Sequence, residues 1–306
     1  MDKRAAIVLG VIFGGLFLAL FGFLILAFSV AGGAGAGKLG AGNVGVVEVK
    51  GPITDAEDEV KALHDFLEED RIKAVVVRVN SPGGAVGPSQ EIHAEIRRLA
   101  EEKPVVVSMG DVAASGGYYL AVAADKIVAN PGTLTGSIGV ITQFPNVTAI
   151  AEKIGFQMNT VKSGAAKDIG NPFRPFTEAD RKVFEGLVDD VYRQFVGAVV
   201  EGRKLPEEQV KAIADGRVLT GEQALQAGLI DQLGNFNDAV DLAAELAGIE
   251  GKPKLVYPEK EEPLSLHRLL RASVREGVRA VADELRLQLR SETSAAPRVE
   301  FRLPGT

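Results

Sequence analysis

Four short apolar runs, separated by glycine turns and helical segments, restrict the fold of this chain more than any other feature. Val44 to Val49 reads as a strand, and Lys73 to Val79 contains Ala-Val-Val-Val-Arg-Val, the pattern of a buried strand. Pro104 to Met109 is a third such run, and Lys126 to Ala129 is a short fourth. Between them, Asp55 to Glu69 sets Val60, Leu63, Phe66 and Leu67 at helical spacing. The segment after Gly84 does the same with Ile92, Ile96 and Leu99, up to about Ala100. Ala113 to Ala124 reads as a small-residue helix. Strand, helix, strand, helix predicts an α/β fold with a mainly parallel sheet flanked by helices. Functional loops of such sheets lie beyond the carboxyl ends of the strands.

Farther along, Gly136 to Thr142 and Gln157 to Val161 read as further short strands. Thr177 to Val200 reads as a long helix capped by Thr177, with Glu178 and Asp180 in its first turn. Pro206 to Ala214, Thr220 to Ala227 and Asn235 to Ala247 add three shorter helices. There is no internal repeat.

The two ends differ from this body. From Ala5 to Val30 the chain carries no charge over 26 residues. As a helix this run would extend roughly 39 Å, enough to cross a bilayer with some tilt. Lys3 and Arg4 precede it, so the positive-inside rule expects a cytoplasmic N-terminus and an extracytoplasmic body. Residues 1–30 are therefore expected to be an anchor rather than a cleaved signal, because the run exceeds a usual signal h-region. Residues 31–42 read as a Gly/Ala-rich linker and 43–250 as the main folded domain. Residues 251–306 read as a tail. Its segment Leu266–Leu289 has apolar residues at 266, 269, 270, 274, 278, 281 and 285 among five arginines, with Arg290 directly after, the pattern of an amphipathic helix that covers its own domain, docks on a partner or lies on an anionic membrane.

Composition removes several function classes. The net charge of −7 gives no reason to expect nucleic acid. The absence of cysteine excludes disulfides and thiol nucleophiles. His64, His93 and His267 do not stand at metal-ligand spacing, so no metal or other cofactor is expected.

Amide hydrolysis requires a nucleophile, a base and donors for an oxyanion. Gly110-Asp111-Val112-Ala113-Ala114-Ser115-Gly116-Gly117 follows a buried strand. A serine there sits in a tight strand-to-helix turn, beside residues too small to block a substrate. Gly83-Gly84 ends the preceding strand after Ser81-Pro82 and could turn backbone N–H groups toward a substrate. His93 lies in a helical Glu-Ile-His-Ala-Glu-Ile pattern, which leaves lysine as the plausible base. Lys162 and Lys167 both lie among small residues in Val161–Asp168, and the local pattern does not choose between them.

Taken in order, these stretches resemble the signal peptide peptidase A family in its short single-domain form, within the group that shares the Clp protease and crotonase fold. The matching stretches are Asn80–Gly84, Ala113–Tyr119, Thr135–Val140, Lys162–Gly164 with Lys167-Asp168, Gly216–Gly221 and Gly228–Asp231. The resemblance implies Ser115 as nucleophile, Lys167 as general base, and the backbone N–H groups of Gly84 and Gly116 as the oxyanion hole. It gives Ser137 a supporting role. It also implies cleaved signal peptides or other apolar peptides as substrates, a homo-oligomeric ring, and sites built from the serine and lysine of neighbouring protomers. Ala166, Ala85 and Gly87 depart from the usual family residues without removing a catalytic group. The alternatives are a membrane protease of the stomatin-associated type and a non-catalytic peptide-binding scaffold.

Overall fold

The computed structural model describes residues 42–258. The expected membrane span, nearly all of the Gly/Ala linker and the amphipathic tail segment lie outside the described residues. Among the described residues, no helix is long and apolar enough to cross a membrane.

The chain opens with β1 (Val44–Lys50), α1 (Glu57–Glu68), β2 (Ala74–Ser81), α2 (Val86–Ala100) and β3 (Val105–Ala114). It continues through the short α3 (Gly116–Ala121), β4 (Lys126–Ala129), β5 (Leu134–Gly136) and α4 (Thr148–Lys153). A 3-10 turn at Ala165–Asp168 precedes α5 (Glu178–Arg203). The remainder is α6 (Glu207–Lys211), β6 (Val218–Thr220), α7 (Gly221–Gln226), β7 (Gln232–Leu233), α8 (Phe236–Leu246) and β8 (Leu255–Val256).

The expected mainly parallel sheet is present: β1, β2, β3 and β4 pair in parallel, and among the described residues only β5 and β6 run antiparallel. Strand alternation separates two apolar layers. Val75, Val77, Val79, Val105, Val107 and Met109 pack under Leu63 and Phe66 of α1 and Ile92, Ile96 and Leu99 of α2. Val44, Ala74, Val76, Val106 and Val128 face Ala239, Val240 and Ala243 of α8. Because both faces are covered, the strands read as continuous apolar runs instead of alternating ones.

The long strand β3 organises the site. Its first half pairs with β4, at Val106 to Met109, and its second half pairs with β5, at Val112 to Ala114. The sheet forks there, and the end of β3 projects beyond its parallel neighbour. The helix expected from Ala113 begins only at Gly116, since Ala113 and Ala114 still belong to the strand. Of the expected strand Gly136–Thr142, only Gly136 lies in a strand, and Gln157–Val161 forms none. These short apolar stretches find no neighbouring strand, so their backbones gain no ladder. The structure instead adds α4 and the two-residue strands β7 and β8. Leu255 and Val256 extend the sheet past residue 250 by pairing with Val44 and Gly45. Asn43 N and Val44 N both donate to Lys254 O, so the two ends of the described domain leave from one sheet edge.

Candidate active site

Ser115 occupies the turn between β3 and α3. Its φ of 53° and ψ of −122° are values that a residue with a Cβ seldom adopts. Such a conformation costs on the order of 1–3 kcal/mol and persists only where its surroundings impose it. Two contacts impose it here: Ser115 N donates to Gly136 O at 2.9 Å, and Ser115 O accepts from the amides of Tyr118 and Tyr119. Tyr118 is itself fixed, fully buried, with its hydroxyl donating to Leu229 O at 2.9 Å. The Ser115 side chain caps nothing. The strained turn therefore presents a half-buried hydroxyl that the fold does not use.

Gly83 and Gly84 lie directly against this turn. A Cβ on Gly83 would stand 2.6 Å from Gly116 N and 2.8 Å from Ser115 Cβ, so only glycine permits the approach. Ile53 forms a parallel bridge to Gly84, in which Ile53 N donates to Gly83 O and Ala85 N to Ile53 O. The amide of Gly84, between them, takes no part in that bridge. The amide of Gly116 belongs to the first turn of α3, where helix geometry offers no acceptor. A Cβ built on Gly116 would lie 3.3 Å from Gly84 N, so the two segments meet beside Ser115. Ser89 supports them from below: it is buried, its Oγ donates to Ala85 O at 2.8 Å, and that oxygen would meet a Gly116 Cβ at 2.4 Å. The sequence reading missed Ser89, whose only signal was a polar residue on the apolar face of α2.

Ser137 also has positive φ, at 52°, and its amide donates to Arg217 O at 2.8 Å. It holds the loop that follows Gly136, the residue that accepts from Ser115.

The two candidate lysines separate clearly. Lys162 Nζ pairs with Asp168 Oδ1 at 2.7 Å and donates to Ala165 O at 3.0 Å. Lys167 is exposed on the 3-10 turn, and its ammonium has no hydrogen bond or ion pair among the described residues. The structure brings Ser115, Gly84 and Gly116 together, and among the described residues no hydrogen bond joins Lys167 to Ser115. Asp168 and Asp180 flank Arg174, which hydrogen-bonds both carboxylates. Lys162 first, and Arg174 with it, hold the Asp168 carboxyl below its usual range, and Arg174 does the same to Asp180.

Neither described histidine serves Ser115. His64 faces Glu68 and Glu95. His93 packs against Tyr119 with ring centres 5.0 Å apart and the rings tilted by 51°, and burial lowers its pKa. Among the described residues, no group of three or more His, Asp or Glu side chains could hold a metal ion.

The chain is similar to known proteases. The family model for Peptidase family S49 matches residues 97–250, and that for Clp protease matches residues 44–136. A putative protease from Synechocystis is 43% identical over 226 residues, which span 73% of this chain and 81% of the relative. The chloroplastic serine protease SPPA of Arabidopsis thaliana is 38% identical over 225 residues, 71% of this chain and 33% of that protein. A putative signal peptide peptidase SppA from Enterococcus faecium is 41% identical over 180 residues, 58% of this chain and 52% of the relative. The Clp protease match falls on the strands and turns that carry Gly84 and Ser115, and the S49 match runs on through Lys167 to α8. The chain therefore belongs to peptidase family S49, a family of proteases.

Proposed function

We propose that this protein is a membrane-anchored serine endopeptidase that degrades cleaved signal peptides or other extended apolar peptides. Ser115 is the nucleophile, Lys167 the general base, and the amides of Gly84 and Gly116 the oxyanion donors. The observation that carries the reading is the strained φ of Ser115, pressed against Gly83-Gly84 at the end of β3. Strain at a serine whose hydroxyl caps nothing has no structural use, whereas it exposes Oγ to a substrate carbonyl.

The reaction follows from these groups. Ser115 Oγ attacks the scissile carbonyl carbon while Lys167 takes its proton. The developing oxyanion accepts hydrogen bonds from the two glycine amides, each worth roughly a hundred-fold or more in rate. The tetrahedral species collapses, and the leaving amine takes the proton back from Lys167. Lys167 then removes a proton from water, which attacks the ester and releases Ser115 with its proton restored.

The lack of a hydrogen bond between Ser115 and Lys167 of one chain supports a site shared between neighbouring protomers of a homo-oligomer. Lys167 lies in a stretch rich in exposed apolar side chains: Ile141 is 78% exposed, Ile154 74%, and Val161 fully so. A surface of that kind favours burial against another chain. A second copy covering it would bring the lysine of one protomer to the serine of the next. The uncharged run at 5–30 and the basic pair Lys3-Arg4 support a single-pass anchor in the cell membrane, with the catalytic domain extracytoplasmic.

The test is hydrolysis of fluorogenic apolar peptides by the full chain in detergent, comparing wild type with Ser115→Ala, Lys167→Ala and Lys162→Ala. Abolished activity in the first two, with activity retained, even if reduced, in Lys162→Ala, fits the proposal; full activity in Ser115→Ala ends it, and an inactive Lys162→Ala beside an active Lys167→Ala moves the base. Mixing Ser115→Ala with Lys167→Ala restores activity if sites are shared.

A further inference from the structure

The guanidinium of Arg174 makes six hydrogen-bond contacts with its five N–H groups, one N–H of Nη2 being shared between two oxygens, all within its own loop and the start of α5. Nε donates to Asp168 Oδ2 at 3.0 Å, and Nη2 donates to Asp168 Oδ1 and to the Asp168 carbonyl oxygen, each at 3.1 Å. Nη1 donates to Asp180 Oδ2 at 2.5 Å and Nη2 to Asp180 Oδ1 at 3.0 Å. The sixth bond runs from Nη1 to Pro175 O at 3.0 Å. An isolated surface ion pair contributes little. This arrangement differs, because the fork engages two carboxylates at once and both are nearly buried, with side chains 10% and 6% exposed.

Each end of the bridge is fixed to something else. Asp180 is the third residue of α5 and completes its capping box with Thr177. The far half of α5 is held in the core by Phe195, Val196 and Val199. Asp168 is the residue after Lys167 and shares its 3-10 turn. From the other side Lys162 clamps the same turn through Asp168 Oδ1 and Ala165 O. A continuous path of contacts therefore runs from the core along α5, through Asp180 and Arg174, to the peptide bond beside Lys167. Of Lys162, Lys167 and Arg174, two are paired and only Lys167 keeps a free ammonium among the described residues.

We infer that Arg174, by bridging Asp168 and Asp180, is a positioning residue that fixes the backbone of Lys167 and occupies the one carboxylate next to it. The inference rests on the reading of Lys167 as the general base. A base must be held within a fraction of an ångström of the proton that it takes, and looseness there acts on the chemical step more than on substrate binding. A lysine of this fork would not substitute, because an ammonium is a point charge and cannot span two carboxylates in a fixed plane.

The experiment measures kcat, KM and melting temperature of the full chain in detergent on a fluorogenic apolar peptide. Its variants are Arg174→Gln, Arg174→Lys, Asp168→Asn, the Arg174→Gln/Asp168→Asn pair, and Lys167→Ala. Arg174→Gln should lower kcat about ten- to a hundred-fold, with KM held within about two-fold. Arg174→Lys should not restore kcat, and the double variant should lose no more than the worse single one, since both remove the same bridge. Wild-type kcat in Arg174→Gln, a rise in KM alone, or full rescue by lysine overturns the inference. Should Arg174→Gln fail to fold, Asp168→Asn, which keeps the Arg174–Asp180 pair, carries the same expectation and the same refutation. An inactive Lys167→Ala beside wild-type kcat in Arg174→Gln defeats the positioning role alone, whereas an active Lys167→Ala defeats the dyad itself.

Discussion

Replacing Ser115 with glycine should make the protein more stable while abolishing its activity. At φ 53° and ψ −122° the serine Cβ crowds its own backbone, at about 1–3 kcal/mol. Glycine removes that crowding, and its greater freedom in the unfolded chain costs about 0.4–1 kcal/mol in return. The side chain makes no capping hydrogen bond, so its loss subtracts nothing else from the fold. The net gain is about 1 kcal/mol, or roughly 2–4 °C in melting temperature for a domain of this size. Ser115→Ala is the control, since alanine keeps Cβ and the strain but loses Oγ. Thermal melts and peptide hydrolysis of wild type and both variants give the answer. Ser115→Gly should melt above the other two, and both variants should be inactive. If Ser115→Gly melts no higher than Ser115→Ala, the turn stores no strain and the reasoning that singles out Ser115 from its backbone fails.

Other outcomes follow from the same contacts. Gly83→Ala drives a Cβ to 2.6 Å from Gly116 N at a φ of +94° and should destabilise by about 2 kcal/mol or more, read as a lower urea midpoint. Tyr118→Phe leaves the buried Leu229 carbonyl without its donor and should lose about 1–2 kcal/mol in the same assay. The Asp168 and Asp180 carboxyls are held below their ordinary value of 3.8, so their stabilisation is complete above that pH and disappears as pH falls through the lower folded values. The gap in urea midpoint between wild type and Arg174→Gln should therefore be wide at pH 7 and narrow toward pH 3; an unchanged gap would remove these carboxyls from the stability balance.

The body of the fold was legible because its signals are local. Runs such as Ala-Val-Val-Val-Arg-Val announce strands covered on both faces, and Leu63, Phe66, Ile92 and Ile96 announce the helices that cover one of them. Ser115 was legible as a candidate for a related reason: a serine followed by two glycines after a buried strand has few conformations open to it. The stretch 136–161 misled, because its apolar residues suggested strands. Strand formation depends on a neighbour to pair with, and only Leu134–Gly136 finds one, between β3 and β6. The exposed Ile141 and Val161 are the residues for which that pattern was mistaken.

The sequence by itself determined the parallel α/β sheet, the glycine-lined turn at Ser115 and the capped start of α5, since propensity, periodicity and capping act over a few residues. The family resemblance singled out Lys167, which no local pattern distinguished from Lys162. Only the tertiary structure pressed Gly83 against Gly116, gave Ser115 its positive φ, tied Lys162 to Asp168, and joined Asp168 to Asp180 through Arg174. Those contacts depend on the sheet forking at β3 and on α5 docking its far half in the core. Distances between segments far apart in the chain are set by that packing, and no window of sequence contains them.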